Sequence, residues 1–288
     1  MFKRFLLFLT LGLSMLLYFP LYSQNKNSMN YNDKNYIFTF SLNPYYGLML
    51  DLIGNNFEGI VLIDSFDHHH FDMSPNKMKK IKNSDMIFIT GTLEIEKELI
   101  KVLDPKKVTN FSKYVSVLND DPHIWVSVKN FLKIIDATYK YLYSQKKYRN
   151  SDFYISYKKL RLKYEKLDQE LEKAFQKIRK QQDFIYSIHQ EFNYLARDYL
   201  VKVEPLFYYE EDISYKNLKN FVALTNRYKN KKFYLIIPPH YDEKIISYIK
   251  KNSSNVIFVS FNSNSVNFYD EFKKLAKAIL MENNLGNY

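Results

Sequence analysis

The sequence predicts an α/β protein of two lobes, each a parallel sheet flanked by helices, joined by one long rigid helix. Three observations predict it. Apolar runs of strand length, such as "GIVLID" at 59–64, "DMIFITG" at 85–91 and "FYLII" at 233–237, do not alternate with polar residues. Such runs suit strands covered on both faces by helices. They fall into two sets, one in each half of the chain. Between the sets, Ser151–Lys180 is free of glycine and proline and carries a helical apolar stripe.

Taken in order, residues 1–24 start with Lys3 and Arg4, continue as an apolar run from Phe5 to about Tyr18, and reach small or polar residues at Ser23. This is the layout of a signal peptide or an uncleaved anchor. Residues 25–35 are polar and are expected to be a flexible leader. Residues 36–150 are expected to form the N-terminal α/β lobe. Tyr36–Ser41 reads as a strand, and Pro44–Ile53 as a helix with proline in its first turn. Gly59–Asp64 is a strand, Pro75–Ile81 a short helix, and Asp85–Gly91 another buried strand. A helix over Leu93–Leu103 and a fourth strand over Lys107–Phe111 follow. Val128, Leu132, Ile135, Tyr139 and Leu142 then lie on one helical face.

In residues 151–180, Phe153, Tyr157, Leu160, Tyr164, Leu167, Leu171, Ala174 and Ile178 recur in alternating steps of four and three. A two-chain coiled coil would use the same stripe, but this length is short for one. A connecting helix of about 45 Å, spanning both lobes and limiting their swing, is the reading preferred. Residues 181–288 are expected to form the C-terminal α/β lobe. Its strands are Phe184–Ile188, Leu200–Val203, Phe233–Ile237 and Val256–Val259, and Phe268, Phe272, Leu275 and Ile279 mark its last helix.

Composition narrows the chemistry. The 288 residues are 46% apolar, so the chain folds rather than remaining disordered. The net charge of +11 reads as a solvated lysine-rich surface, and no basic run interleaved with aromatics points to nucleic acid. Cysteine is absent, which excludes disulfides and a lipid-modified cysteine at the signal boundary. Any metal must therefore be held by nitrogen and oxygen. HExxH, G-x-S-x-G and a phosphate-cradling glycine loop are all missing.

The six histidines are placed non-randomly. His68, His69 and His70 follow the strand "GIVLID", His189 follows "FIYSI", His240 follows "FYLIIPP", and His123 precedes the helix that begins near Ser127. Each sits in a strand-to-helix loop or at a helix start. In open parallel sheets those loops line the edge where ligands bind. Neutral imidazole suits zinc, copper, nickel and iron. Asp67, Asp72, Asp121 and Glu191 are near enough in sequence to hydrogen-bond the rings from behind.

Three segments carry a resemblance. "HHFDMSPNK" resembles the first-ligand segment of the zinc- and manganese-binding solute-binding proteins of bacterial ABC importers. "DPHIW" at 121–125 is similar to their second-ligand segment, and "IHQEFNYLARDY" at 188–199 to their third. The resemblance covers nearly the whole chain after the signal. It implies two α/β lobes joined by a long helix, with His69, His123 and His189 on the metal. It also implies an exported, monomeric binding protein, periplasmic or on the outer face of the cytoplasmic membrane. That protein captures a divalent ion and delivers it to an ABC permease. The family usually supplies a carboxylate after the last strand of the second lobe, where this chain has Ser260, and Pro238 stands where many relatives have glutamate. Water or His240 would then complete the coordination, and a ligand set without an anion favours zinc over manganese. Two other readings are an adhesin or structural protein on the same fold, and a metallo-β-lactamase-like zinc hydrolase using His68, His70 and Asp72 as an H-x-H-x-D set. Met73 stands where such hydrolases usually place a further histidine.

Overall fold

The computed structural model describes residues 36–64, 74–118, 121–207 and 215–282. Two four-stranded sheets, parallel throughout, carry the fold. The first is built from β1 (Tyr36–Leu42), β2 (Phe57–Ile63), β3 (Met86–Ile89) and β4 (Val108–Asn110), in the order β2-β1-β3-β4. Its helices are α1 (Asn43–Ile53), α2 (Pro75–Asn83), α3 (Glu94–Ile100) and α4 (Val128–Ser144). The second sheet is built from β5 (Phe184–Ser187), β6 (Val203–Pro205), β7 (Phe233–Ile237) and β8 (Val256–Ser260), in the order β6-β5-β7-β8. With it go α6 (Asn193–Tyr199), α7 (Tyr215–Arg227), α8 (Glu243–Asn252) and α9 (Phe268–Met281). In each sheet the strand order reverses next to the first strand, so crossovers leave in opposite directions. The loops at the carboxyl ends of β1 and β3, and of β5 and β7, therefore flank a crevice.

The apolar strands are inside because helices cover both faces. Phe38, Phe40, Phe88 and Ile89 are buried in the first sheet, and Phe233, Leu235, Ile237 and Phe258 pack with Ile188, Phe221 and Ile246 in the second. At the end of β3 a sharp turn needs Gly91, whose φ is +87°. That turn aims three N–H groups at Glu96. Thr90 donates to Oε1 at 2.7 Å, and Gly91 and Leu93 donate to Oε2 at 2.6 and 3.1 Å. This fixes the start of α3.

The long helix is α5, Ser151–Gln181, about 46 Å at 1.5 Å per residue. Asn150 caps it by accepting from the Phe153 N–H at 2.8 Å, and it ends where Gln182 turns left-handed. The expected stripe is buried from Phe153 to Ile178, with Phe175 added to it. Tyr157, half-buried on the stripe, donates its hydroxyl to Asp136 at 2.9 Å. Helix α5 packs against α1 and α4 beside the first sheet and against α6 and α9 beside the second, so it connects the two lobes.

One expected strand is misplaced. The run Leu200–Val203 is not a strand from its start; β6 begins at Val203. Helix α6 holds its turns to Tyr199, and Leu200 closes it in the left-handed region at φ 52°, with 79% of its surface exposed. A residue in that conformation cannot enter a sheet. Likewise α3 stops at Ile100, short of the expected Leu103, and a short turn capped by Asp104 follows. The signal or anchor expected over 1–24 and the leader over 25–35 lie outside the described residues. Among the described residues, no helix is long and apolar enough to cross a membrane.

Candidate metal centre

His123 is held by its own neighbours. The Asp121 carboxylate takes the His123 backbone N–H at 2.9 Å and the ring Nδ1 at 2.7 Å, both on Oδ1. An ionised carboxylate can only accept, so Nδ1 carries the hydrogen and the lone pair able to bind an ion is on Nε2. Behind the ring the chain is locked. Trp125 is fully buried with its indole 5.3 Å from the imidazole, Ser127 caps α4, and the Asn130 amide donates to the Ile124 carbonyl at 2.9 Å. The Thr92 hydroxyl, next to the Gly91 turn, donates to the Pro122 carbonyl at 2.8 Å.

The other lobe completes this support. Asn193 Nδ2 donates to Asp121 Oδ2 at 2.9 Å, and the Tyr194 hydroxyl to the Asp121 carbonyl at 2.7 Å; both come from α6. Burial pushes the Asp121 carboxyl up. The hydrogen bonds from His123, the charge that ring can carry, and the Asn193 amide outweigh burial and hold it below the usual carboxylate range. This is a carboxylate–histidine pair poised for coordination through Nε2.

His189 follows β5, and its carbonyl accepts the Ser187 hydroxyl at 2.7 Å and the Glu191 N–H at 3.1 Å. The tight turn brings Glu191 inward, leaving it 9% exposed. Burial pushes its carboxyl up, while the His123 ring, a hydrogen bond from the Ser263 hydroxyl and the His189 ring pull it back, and Asp121 opposes them. Glu191 of the second lobe is thus within electrostatic reach of His123 in the first lobe as well as of His189 in its own.

Ser263 belongs to the loop between β8 and α9, which is tied to the first lobe. Trp125 Nε1 donates to the Ser263 carbonyl at 2.8 Å. The Asn264 side chain accepts the Asn43 N–H at 2.9 Å and donates to the Ile63 carbonyl at 3.0 Å. Ile63 is the last residue of β2, five residues before the histidine triplet in the sequence. His68, His69 and His70, with Asp67 and Asp72, lie outside the described residues. So does the H-x-H-x-D set.

His240 is exposed, left-handed at φ 58°, on the turn between β7 and α8. Among the described residues, its ring makes no hydrogen bond or ion pair with His123 or Glu191. Ser260 ends β8, buried and paired in register with Ile237; Pro238 follows β7, half-buried. Among the described residues, no three His, Asp or Glu side chains gather closely enough to hold an ion by themselves. Sequence reasoning placed His123 and His189 at loops but missed Asn193, Tyr194, Ser263 and Asn264. The polar run "SFNSNSVN" at 260–267 was the available signal.

The family model of the periplasmic zinc-uptake complex component A, ZnuA, matches residues 39–279. No curated protein matches the sequence. Several solved structures share the fold. The periplasmic zinc binding protein TroA from Treponema pallidum superimposes with a TM-score of 0.71 at 15% identity, covering 88% of this chain and 100% of that one. Fe(III)-bound YtgA from Chlamydia trachomatis gives 0.67 at 19% identity, covering 86% and 98%. The solute-binding protein FpvC from Pseudomonas aeruginosa, in complex with Mn2+, gives 0.65 at 17% identity, covering 86% and 100%.

Proposed function

Because the chain belongs to the family of the periplasmic component A of zinc-uptake complexes, we propose that it captures a divalent metal ion between its lobes and hands it to an ABC permease in the cytoplasmic membrane. The family is one of binding components, not enzymes, so the ion is cargo and no bond is made or broken. That assignment leaves the hydrolase reading without support.

The observation that carries the proposal is the Asp121–His123 pair. It is buried, braced by α6 of the other lobe, and its imidazole acts on the buried carboxyl of Glu191 in that lobe. A histidine whose Nδ1 is engaged by a carboxylate presents Nε2 to a metal with fixed direction and raised basicity. In this reading His69, His123 and His189 hold the ion, with His240 the reserve fourth ligand. The ion is zinc, with manganese the alternative. The fold alone leaves the ion open, since proteins sharing it are described with zinc, Fe(III) and Mn2+. The protein acts as a monomer outside the cytoplasmic membrane.

Titration of the purified protein with zinc and with manganese tests this, with the triple variant His69→Ala, His123→Ala, His189→Ala as control. Binding by the wild type and none by the triple variant is expected. Poor growth of a deletion strain under metal starvation, restored by added metal, would separate delivery from a purely adhesive role on the same fold.

A further inference from the structure

We propose that the second lobe docks on a membrane surface of anionic phospholipid through a pocket at the amino ends of β5 and β6, with Leu200 entering the apolar layer. The pocket is a cavity of about 500 Å³, at the opposite ends of these strands from the crevice. Strand β5 pairs with β7 from Phe184, but with β6 only from Ile185, opposite Val203. The chain at 200–202 therefore diverges from β5 and leaves a cleft. Ile178 of α5, Phe184, Ile185 and Val201 give it apolar walls, and Leu200 and Tyr228 line it with much of their own surface exposed. Leu200 is the most exposed of the large apolar side chains among the described residues. It also holds the left-handed conformation that closes α6, a position that glycine or asparagine fills at less cost. Within the protein, leucine gains nothing there from burial or from its backbone. An apolar medium outside the protein supplies the gain.

The charge around the cleft selects the medium. Segments 177–183, 200–204 and 227–232 carry eight lysines and arginines against two carboxylates, Asp183 and Glu204. Glu204 is paired with Lys202, and Asp183 accepts the Lys232 N–H at 2.9 Å through Oδ1. Glu172 and Glu282 reach in to Arg179 and Lys177, at 2.7 and 2.8 Å. Cations still outnumber carboxylates by four. The Lys202 side chain, two residues from Leu200, is 83% exposed. An exposed apolar group ringed by lysines is the pattern of attachment to anionic lipid, where the apolar part inserts and the ammonium groups meet phosphates. Tyr228 suits the headgroup level between them. The cleft then takes part of one acyl chain between Phe184 and Val201. The crevice, at the other ends of the strands, is untouched by this contact, so the inference does not depend on the metal-binding reading.

Leu200→Trp in the full-length chain tests the proposal. Residues 1–24 carry an apolar run that can bind lipid by itself, so the readout must be local to residue 200. The only other tryptophan, Trp125, is fully buried, and the wild type gives its background emission. The probes are vesicles with brominated acyl chains, either phosphatidylcholine mixed with phosphatidylglycerol or phosphatidylcholine alone. The mixed vesicles should quench Leu200→Trp well beyond the wild type, and the neutral ones should not. Adding Lys202→Gln, Lys229→Gln and Lys231→Gln should weaken vesicle affinity about 100-fold, from about five-fold per cation. Raised salt should weaken it in the same direction. No quenching by the mixed vesicles, or equal quenching by both kinds, overturns the proposal. So does release by inorganic phosphate at matched ionic strength, which would mark a simple anion site. A blue shift that grows with protein concentration without lipid would mean that a second copy covers residue 200, and overturns it as well. A second measurement does not depend on any variant folding. Amide hydrogen exchange of the wild type should slow at 200–202 and 228–231 on the mixed vesicles and not on the neutral ones; unchanged exchange there overturns the proposal.

Discussion

The indole nitrogen of Trp125 donates a 2.8 Å hydrogen bond to the main-chain carbonyl of Ser263, 138 residues further along the chain. One partner stands two residues from His123, and the other carries the hydroxyl that meets Glu191. The bond therefore joins the two lobes at the site where they face each other. It also explains why the sole tryptophan is fully buried in a loop: its ring backs the His123 imidazole while its N–H is satisfied across the crevice.

Replacing Trp125 with phenylalanine is expected to cost about 2–4 kcal/mol. The Ser263 carbonyl loses its indole donor and a smaller ring leaves space in a packed region. Urea unfolding followed by circular dichroism measures it. In the wild type, the buried indole beside His123 should change its fluorescence when zinc is added. A titration with no change would show that the ion does not reach His123.

Asp121→Asn is expected to weaken zinc binding about 10–100-fold while the fold persists. The Asn amide oxygen still accepts from Nδ1, but the charge that raises the basicity of Nε2 is gone. Asn193→Ala removes only the outer bond to Asp121 Oδ2 and should cost less. Isothermal titration of the two variants orders them. Equal losses would mean that Asp121 acts through the inter-lobe contact rather than through the ring.

The fold was largely legible because its signals are local. Unbroken apolar strands and the stripe on α5 follow from backbone periodicity and burial, and both were found. The strand expected at Leu200 failed because a short run of leucine and valines around Lys202 does not reveal that a preceding helix ends in a left-handed turn there. At the site, His123 and His189 were legible from their loops. Glu191 was read as an outer carboxylate. That it is buried and faces a loop from the far end of the chain depends on Ser263 lying beside it, a long-range contact with no periodic trace. Asn264 is a similar case, since nothing local says that it will bond Asn43 and Ile63.

Glu96 makes stability depend on pH in a defined direction. Burial pushes its carboxyl above the ordinary 4.5, although the Ser41 hydroxyl and the N–H groups of Leu93, Thr90 and Gly91 pull it back. The folded chain therefore keeps this proton at pH values where the unfolded chain has released it. The contribution to stability is complete below the unfolded value and falls as pH rises through the raised one. Glu96→Gln is neutral throughout. The stability of wild type minus that of Glu96→Gln should thus decrease as pH climbs from about 4.5 and level off above the raised value. Urea midpoints of both proteins from about pH 4 to about pH 8 check the sign. A difference that grows with pH would contradict it.

Gly47 shows how closely the second lobe's loop sits against the first. It lies within α1, where glycine is otherwise unfavourable, and a Cβ built on it would stand 1.9 Å from the carbonyl oxygen of Val266. Helix propensity alone favours Gly47→Ala by about 1 kcal/mol. The clash involves main chain rather than a flexible side chain, so the loop from Phe261 to Asn267 must move instead. The net effect expected is destabilisation of about 1–3 kcal/mol. Movement of that loop also displaces Ser263 and Asn264, and with them the bonds to Trp125, Asn43 and Ile63. Gly47→Ala should therefore alter zinc affinity, although residue 47 itself supplies no ligand. Thermal unfolding and zinc titration of the variant measure the two effects together. A variant as stable as the wild type would mean that this loop can retreat without cost. Lost stability with unchanged affinity would mean that the loop braces the lobes but does not reach the ion.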